Sequence, residues 1–485
     1  ITLSGKTAAC NSSNVQIEDG VVTIKAAGVY VLSGTFTDGT IVVDAGDDDK
    51  VQLVLDGVSI TAADYAAIYA KNADKVFVTL AEGAGNSLTV SGDYVQTDDN
   101  NVDAVIFAKC DLTLNGTGSL TVKDNTGHGI VSKDDLVVTG GTYTIYSQDH
   151  CLNGKDSVRI ADGTFNLSCD EDGIHAGNDD QQDGYVYIEG GDINISVGDD
   201  AIHAEGLLII TGGDIDVSKS CEGVEGDKIL GGDIDVISSD DGFNAAGGSS
   251  DSGDNHDGFG GGPGMGGVDM DADNDAYILI TGGTININAN GDGIDSNGCI
   301  GITGGSVYVL GPSDNGNGAM DYGICAAITG GEIVAVGGSG MAQGFGDEST
   351  QCSALVNFDE WIDAGETITL TDSDGKEVLS YKVDKKFNSV VISTSDMKQG
   401  ETYTLTVGDQ SSTFTLDDIT YSEGSGGMQR PGGNSDDGNM QRPGGNSDDG
   451  NMQRPDGDSD NGQNDSANGS SQNKDNSSSS DSMSI

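Results

Sequence analysis

Five short segments of the chain share one pattern: an acid, a small residue, an apolar residue, a polar residue and a second small residue. They are Asp172-Gly-Ile-His-Ala, Asp200-Ala-Ile-His-Ala, Glu222-Gly-Val-Glu-Gly, Asp241-Gly-Phe-Asn-Ala and Asp292-Gly-Ile-Asp-Ser. A preceding acid often doubles the charge, as at Asp170 and Glu171, Asp199 and Asp240. The fourth position contributes His175, His203, Glu225, Asn244, Asp295 and, one repeat on, Asp321. Earlier repeats place His128 and His150 in the acid position. Carboxylates stacked about 5 Å apart repel, and two so close tend not to ionise together. Hydration, protonation of alternate members or a divalent cation relieves the conflict. Ca²⁺ accepts roughly 6–8 oxygen ligands in irregular geometry, which carboxylates from successive repeats and glycine carbonyls can supply. The expected metal-binding set is therefore Asp170, Asp172, Asp199, Asp200, Glu222, Glu225, Asp240, Asp241, Asp292 and Asp295, with Ca²⁺ as the ion. The competing account is an acidic, solvated edge. Zinc or iron is disfavoured because hard oxygens dominate, and the histidines are expected to hydrogen-bond neighbouring carboxylates. The run Asp269-Met-Asp-Ala-Asp-Asn-Asp begins like an EF-hand loop but lacks its glycine and its final acid (Ile280 stands there), leaving only a loose cation loop.

A second polar set lies on alternating segments: Asp192, Asn194, Asp214, Asp216, Asp233 and Asp235, continued by Thr284 and Asn286. Two per repeat, they form a regular grid suited to a regular polymer, and they are the expected carbohydrate-binding residues. Equally, such residues simply keep an exposed sheet face soluble.

The elements that position these groups follow from an internal repeat. A glycine precedes each strand-like segment at Gly118, Gly141, Gly163, Gly191, Gly213, Gly232, Gly283, Gly305 and Gly331, mostly about 22 residues apart. Two positions after it lies an apolar column, Leu120, Tyr143, Phe165, Ile193, Ile215, Ile234, Ile285, Val307 and Ile333. A second apolar column lies two positions further on, with polar residues between, which is the period of a strand. No stretch has a helical period. Glycine corners and in-phase strands predict an all-β fold, a single-stranded parallel β-helix of about 22 residues per coil, with like residues stacked about 4.8 Å apart. The acid spacings match the glycine spacings, so the acids should run up one edge.

Residues 1–44 read as N-terminal strands capping this body, and 45–349 as the β-helix with a Gly/Asp-rich insertion near 246–274. Residues 350–423 read as a small C-terminal β domain, with a hairpin turn at Asp374-Gly375. Residues 424–485 repeat Met-Gln-Arg-Pro-Gly-Gly-Asn-Ser-Asp-Asp-Gly-Asn and read as a disordered tail. Lys71, Lys109, Lys133 and Lys155 form a ladder that could bind a polyanion, though Asp74, Asp111, Asp134 and Asp156 are placed to neutralise it. Of eight cysteines, Cys299 and Cys325 each precede a Thr-Gly-Gly segment by four residues. They should stack as a disulfide or as two buried thiols.

The composition excludes several partners. Against 80 Asp and Glu stand 21 Lys and Arg, a net charge of −59 over 485 residues, which repels nucleic acid and anionic membranes. From Ala161 to Ile300 there are 30 acids and 2 bases, so the charge is concentrated in the repeat. No apolar run reaches the roughly 20 residues of a membrane span. The 77 glycines lack the every-third-residue period of collagen.

Three stretches carry a family resemblance: Ser33-Gly-Thr-Phe-Thr-Asp-Gly-Thr-Ile-Val-Val-Asp, Lys50-Val-Gln-Leu-Val-Leu-Asp-Gly-Val-Ser-Ile, and Ala66-Ala-Ile-Tyr-Ala-Lys-Asn-Ala-Asp-Lys-Val. With the Asp-Gly-Ile-His-Ala motifs and Lys385-Lys-Phe-Asn-Ser-Val-Val-Ile-Ser, the chain resembles the bacterial carbohydrate-binding domain-containing β-helix proteins over about residues 1–421. The resemblance implies a pectate-lyase-like right-handed β-helix, an extracellular or cell-surface location, bound Ca²⁺, and binding of polygalacturonate (pectin) and cellulose. It implies no individual ligand, and the His128 and His150 repeats depart from the acid motif. The leading expectation is a non-catalytic protein whose calcium bridges its own carboxylates to those of the polysaccharide, with no signal or lipid anchor within these residues. The alternatives are a pectin-active lyase or glycosidase, for which the only bases near the richest acid repeats are Lys219 and Lys228, and a calcium-stabilised surface adhesin.

Overall fold

Alternation of apolar and polar residues dictates strands throughout. The computed structural model describes residues 1–177, 184–226, 231–245 and 276–423, and these contain strands and no helix. The expected insertion near 246–274, the Asp269 run and the tail 424–485 lie outside the described residues. The strands assemble into sheets of 23, 13, three and four strands. Among the described residues no helix is long and apolar enough to cross a membrane.

Most pairing is parallel between successive repeats, the β-helix-like arrangement of a stacked chain. In the 13-stranded sheet Ile130 pairs with Leu152, Leu152 with Ile174, Ile174 with Ile202 and Ile202 with Val224. In the largest sheet Phe165 pairs with Ile193, Ile193 with Ile215, Ile215 with Ile234 and Ile234 with Ile285. The last pairing spans the insertion without losing register.

The predicted apolar column is the core. Tyr143, Phe165, Ile193, Ile215, Ile285, Val307 and Ile333 are fully buried. Each such side chain contributes about 1.5–3 kcal/mol by leaving water, and every layer repeats the contribution. The glycine column forms the corners. Gly141, Gly163, Gly191, Gly213, Gly232, Gly283, Gly305 and Gly331 all have positive φ, between 82° and 143°. A side chain is strained there, and at Gly191 a Cβ would also meet the Gly163 carbonyl of the layer below at 3.0 Å.

The parallel stack closes at Glu332–Gly337, which pairs antiparallel with Phe387–Ser393; that strand also pairs with Ser353–Ile362. Beside it Thr367–Asp372, Glu377–Lys382, Thr402–Val407 and Gln410–Thr415 form the four-stranded antiparallel sheet. Gly375, at φ 79°, makes the turn expected at Asp374-Gly375. This region has its own core, including Phe387, Ile392, Leu405 and Leu416. Cys299 and Cys325 are register partners and are joined by a disulfide.

Candidate functional site

Each acid motif turns a corner and then enters a short strand of the 13-stranded sheet. Its fourth residue points outward from that strand. Parallel register aligns these residues in one column: Asn153, His175, His203, Glu225, Asn244, Asp295 and Asp321. Towards the N-terminus the same column continues through Val131, Phe107, Tyr69 and Val42. The face therefore changes along its length from apolar, to nitrogen-bearing, to carboxylate. A groove of about 720 Å³ lies at the apolar end, lined by Glu18, Val42, Tyr65, Tyr69, Lys71 and Asp98 among others.

The second motif residue must be small because the corners pack tightly. A Cβ on Gly242 would meet the carbonyl of Gly293 at 2.5 Å, and one on Gly293 the carbonyl of Ala319 at 2.5 Å. The first residue turns its side chain along the stack. His128 Nδ1 accepts the His150 amide at 3.2 Å, and His150 Nδ1 accepts the Asp172 amide at 3.2 Å. Asp172 Oδ1 accepts the Asp200 amide at 3.0 Å, and Asp241 Oδ1 the Asp292 amide at 2.6 Å. Asp292 Oδ1 accepts the Gly318 amide at 2.5 Å.

The two columns meet in four clusters whose ligand atoms lie within 4.8 Å of one another: His150–Asp172–His175, Asp172–Asp200–His203, Asp200–Glu222–Glu225 and Asp241–Asp292–Asp295. All four could hold a metal ion. The donor sets differ, the first two mixing nitrogen and oxygen and the last two being all oxygen. Burial pushes the carboxyl of Asp241 up to about 6, and those of Glu222, Asp292 and Asp295 up to about 7, with neighbouring carboxylates adding to the shift. Asp200 moves up for the same reasons, burial first and then Asp172. Burial opposes ionisation of Asp172 too, but its hydrogen bond to His203 and the neighbouring histidines hold it below the usual carboxylate range. Burial acts against the charge on His203, yet the surrounding Asp172, Glu225 and Asp200 raise it. His128 and His150 have less anionic company, and burial pulls both down to about 4. His150 stacks on His128 and His175, with ring centroids 5.1 Å and 4.4 Å apart.

Of the ten residues expected to bind metal, Asp172, Asp200, Glu222, Glu225, Asp241, Asp292 and Asp295 enter these clusters. Asp170, Asp199 and Asp240 do not; they are exposed on the outside of the corners, and Asp170 accepts a hydrogen bond from Gln148 Nε2 at 3.0 Å. The grid residues fall into two registered rows, Asp192–Asp214–Asp233–Thr284 and Asn194–Asp216–Asp235–Asn286. Asp192, Asp214, Asp216, Asp233 and Asp235 are exposed, Asn194 half-buried. Between the rows Asn194 Nδ2 donates to Asp192 at 3.0 Å, and within the second row Asn286 Nδ2 donates to Asp235 at 2.5 Å. His150, His175 and His203 enter the clusters without having been among the expected ligands. Their signal was present, since all three fall in phase with the acids.

The lysines do not pair as expected. Lys71 reaches Asp98 at 3.5 Å, Lys109 donates to Asn100, and Lys133 lies 5.6 Å over the Phe107 ring. Asp74 and Asp111 are instead paired with Lys50 and Lys75, each at 3.3 Å. Near the acid clusters, Lys219 is exposed and Lys228 lies outside the described residues.

An all-β stack of parallel strands with a metal-competent edge defines a repeat scaffold that carries its functional groups on its surface. The chain belongs to the carbohydrate-binding domain-containing protein family, whose model matches residues 18–316. A carbohydrate-binding domain-containing protein from Acetivibrio thermocellus is 40% identical over 227 residues, which is 45% of this chain and 79% of that protein. Among solved structures, the chain is similar to a polysaccharide lyase-like protein from C. thermocellum, determined as a gadolinium derivative. The identity is 36%, the coverage 48% of this chain and 92% of that one, and the TM-score 0.43.

Proposed function

We propose that this protein is a non-catalytic carbohydrate-binding protein of the cell exterior or cell surface. In this reading Ca²⁺ is held by the all-oxygen clusters, above all Asp241–Asp292–Asp295, and the polymer is acidic: polygalacturonate or pectin, with cellulose as a second ligand. The scaffold is a right-handed β-helix of about 22 residues per coil, capped by residues 1–44 and followed by a small β domain at 350–423.

The observation that carries the reading is the placement of Asp241, Asp292 and Asp295 within 4.8 Å of one another. Three partly buried carboxyls offering only oxygen fit a hard divalent cation, and the chain corners tolerate its irregular coordination. When bound, calcium supplies positive charge that both the protein's carboxylates and the polymer's can share. Without it, a chain of net charge −59 repels a polyuronate. Asp233 and Asp235 stand on the strand that leads into the Asp241 corner, so a polymer lying across the grid passes beside the ion.

Pull-down on insoluble polygalacturonate and on cellulose, with calcium and with EDTA, tests the proposal alongside metal analysis of the protein. Retention on polygalacturonate that EDTA abolishes, with calcium found in the protein, is the expected result. Undiminished retention in EDTA by a calcium-free protein sinks the calcium bridge. No retention on either polymer sinks the choice of ligand. Unsaturated or new reducing ends released from pectin would instead make it an enzyme.

A further inference from the structure

The polar grid is one end of a longer surface, and towards the N-terminus its rows continue without an acid. The row of Asn194 runs back through Asn166, Thr144, Thr121, Ser87 and Ser59. Beside it runs a row of Thr61, Thr89, Lys123, Tyr146 and Ser168. Parallel register sets successive members about 4.8 Å apart, so both rows lie on one sheet face. The alternate residues of these strands point inward, where Leu120, Val122, Tyr143 and Ile145 are buried.

The chemistry of this face changes where Lys123 and Tyr146 meet. Tyr146 is 49% exposed, and Lys123 Nζ lies 5.6 Å from the centroid of its ring. The ammonium thus covers the side of the ring towards the preceding layer. On the following layer the registered residue is Ser168, half-buried and too short to cover the other side. Thr121 and Thr144 stand two residues before Lys123 and Tyr146 on the same strands, and Asn166 stands beside Thr144 on the next layer. An aromatic ring, a cation, two hydroxyls and an amide therefore border one notch.

Each group selects a feature of the ligand. A solvent-exposed aromatic ring gains by covering apolar surface, and a pyranose offers its C–H side while its hydroxyls stay free. Thr121, Thr144 and Asn166 supply donors and acceptors for those hydroxyls. The registered neighbours of Lys123 are Thr89 and Tyr146, neither of them an acid, so its charge is open to a ligand carboxylate. Further along the same face the exposed Asp192, Asp214 and Asp216 repel an anion. The notch attracts one with no ion between.

We infer that Lys123 and Tyr146 form a calcium-independent subsite for one hexuronate residue of an acidic polysaccharide, at the acid-free end of the grid. The subsite rests on the acidic-polymer reading above but not on the calcium clusters. Tyr146 packs against the sugar ring, Lys123 pairs with its carboxylate, and the neighbouring hydroxyls and amide hold its orientation.

The test titrates the full chain in EDTA and low salt with soluble galacturonate trimer and with the methyl ester of that trimer, followed by calorimetry. Soluble oligomers are used because one exposed subsite is too weak to retain the protein on insoluble polymer. The free acid should bind, and more tightly than the uncharged ester. Lys123→Gln should remove that preference by lowering affinity for the acid about fivefold. Tyr146→Ala should lower affinity for both ligands about tenfold. Both side chains are exposed, and unchanged melting shows that the variants are folded. No binding in EDTA, binding that Tyr146→Ala leaves intact, or an ester bound as tightly as the acid overturns the subsite. Self-association that Tyr146→Ala abolishes would assign the face to a second copy of the chain and overturn it as well. Binding in EDTA with both variant effects, by a protein that takes up no calcium, leaves the subsite standing and removes the calcium bridge. Calcium-dependent retention on polygalacturonate without trimer binding in EDTA does the reverse.

Discussion

Asp172 accepts the backbone amide of Asp200 at 3.0 Å, although 28 residues of chain separate them. The relationship recurs along the edge, where one corner side chain takes the amide of the next corner from His128 to His150, from His150 to Asp172 and from Asp241 to Asp292. The acid column therefore has a structural duty of its own. One carboxylate oxygen satisfies an amide that the turn leaves outside the strand ladder, and the other faces the cluster. The arrangement accounts for the recurrence of acceptors, histidine as well as carboxylate, at a position where charge alone is unfavourable.

Asp241 separates the two duties. Asp241→Ala removes the acceptor for the Asp292 amide and should destabilise the protein by about 1–3 kcal/mol. Asp241→Asn keeps that acceptor and loses a charge, so in chelator its stability should match or exceed that of the unaltered protein. In calcium the order changes, because the asparagine weakens the ion site. Urea unfolding with and without calcium checks both; equal losses for the two variants in chelator would contradict the capping role.

The strand periods and the glycine column were legible because each depends on a single position: an inward apolar residue every second step, and a corner with positive φ at Gly141, Gly163 and their successors. Seven of the acids were legible for the same reason, being in phase with the corners. Asp170, Asp199 and Asp240 were not, since adjacency along the chain places them in the corner but the turn sends their side chains outward. The lysine pairing also escaped, because Lys71 meets Asp98 in a connecting segment without a period. His150, His175 and His203 were visible as residues in phase with the acids but not as members of the clusters. Their place there depends on how each ring turns towards Asp172 and its neighbours, which spacing does not encode.

The motif glycines give a steric prediction. Gly293→Ala places a methyl 2.5 Å from the Ala319 carbonyl, so the layers must separate locally, at a cost of about 1–3 kcal/mol. At Gly282 a methyl meets nothing within 4 Å, and Gly282→Ala should stay within about 0.5 kcal/mol. Thermal melts of the pair in calcium test the comparison, and a Gly293→Ala protein that melts like Gly282→Ala would refute the tight corner.

The disulfide between Cys299 and Cys325 ties neighbouring layers across a separation of 26 residues. Closing a loop of that length is worth about 3 kcal/mol through the unfolded chain. Reduction, or Cys299→Ser with Cys325→Ser, should therefore lower the midpoint of urea unfolding without changing the fold seen by circular dichroism. An unmoved midpoint would mean that the parallel ladder alone holds these layers.

The partly buried carboxyls tie stability to pH and, in the proposed reading, to the cation. Asp241, held up at about 6, and Glu222, Asp292 and Asp295, held up at about 7, titrate above their unfolded range near 4. Between about pH 4 and 7 the folded protein then binds more protons than the unfolded chain, so unfolding becomes easier as pH rises through that window. In EDTA the melting temperature should be highest at the acid end and fall steadily to pH 7.5. Calcium competes with those protons for the same oxygens, so its affinity should rise over the same interval and its presence should flatten or reverse the fall. Melting curves at half-unit steps, with EDTA and with calcium, measure both trends. A melting temperature in EDTA that climbs from pH 5 to 7.5 would mean that these carboxyls ionise freely, and that the edge needs no ion to hold them together.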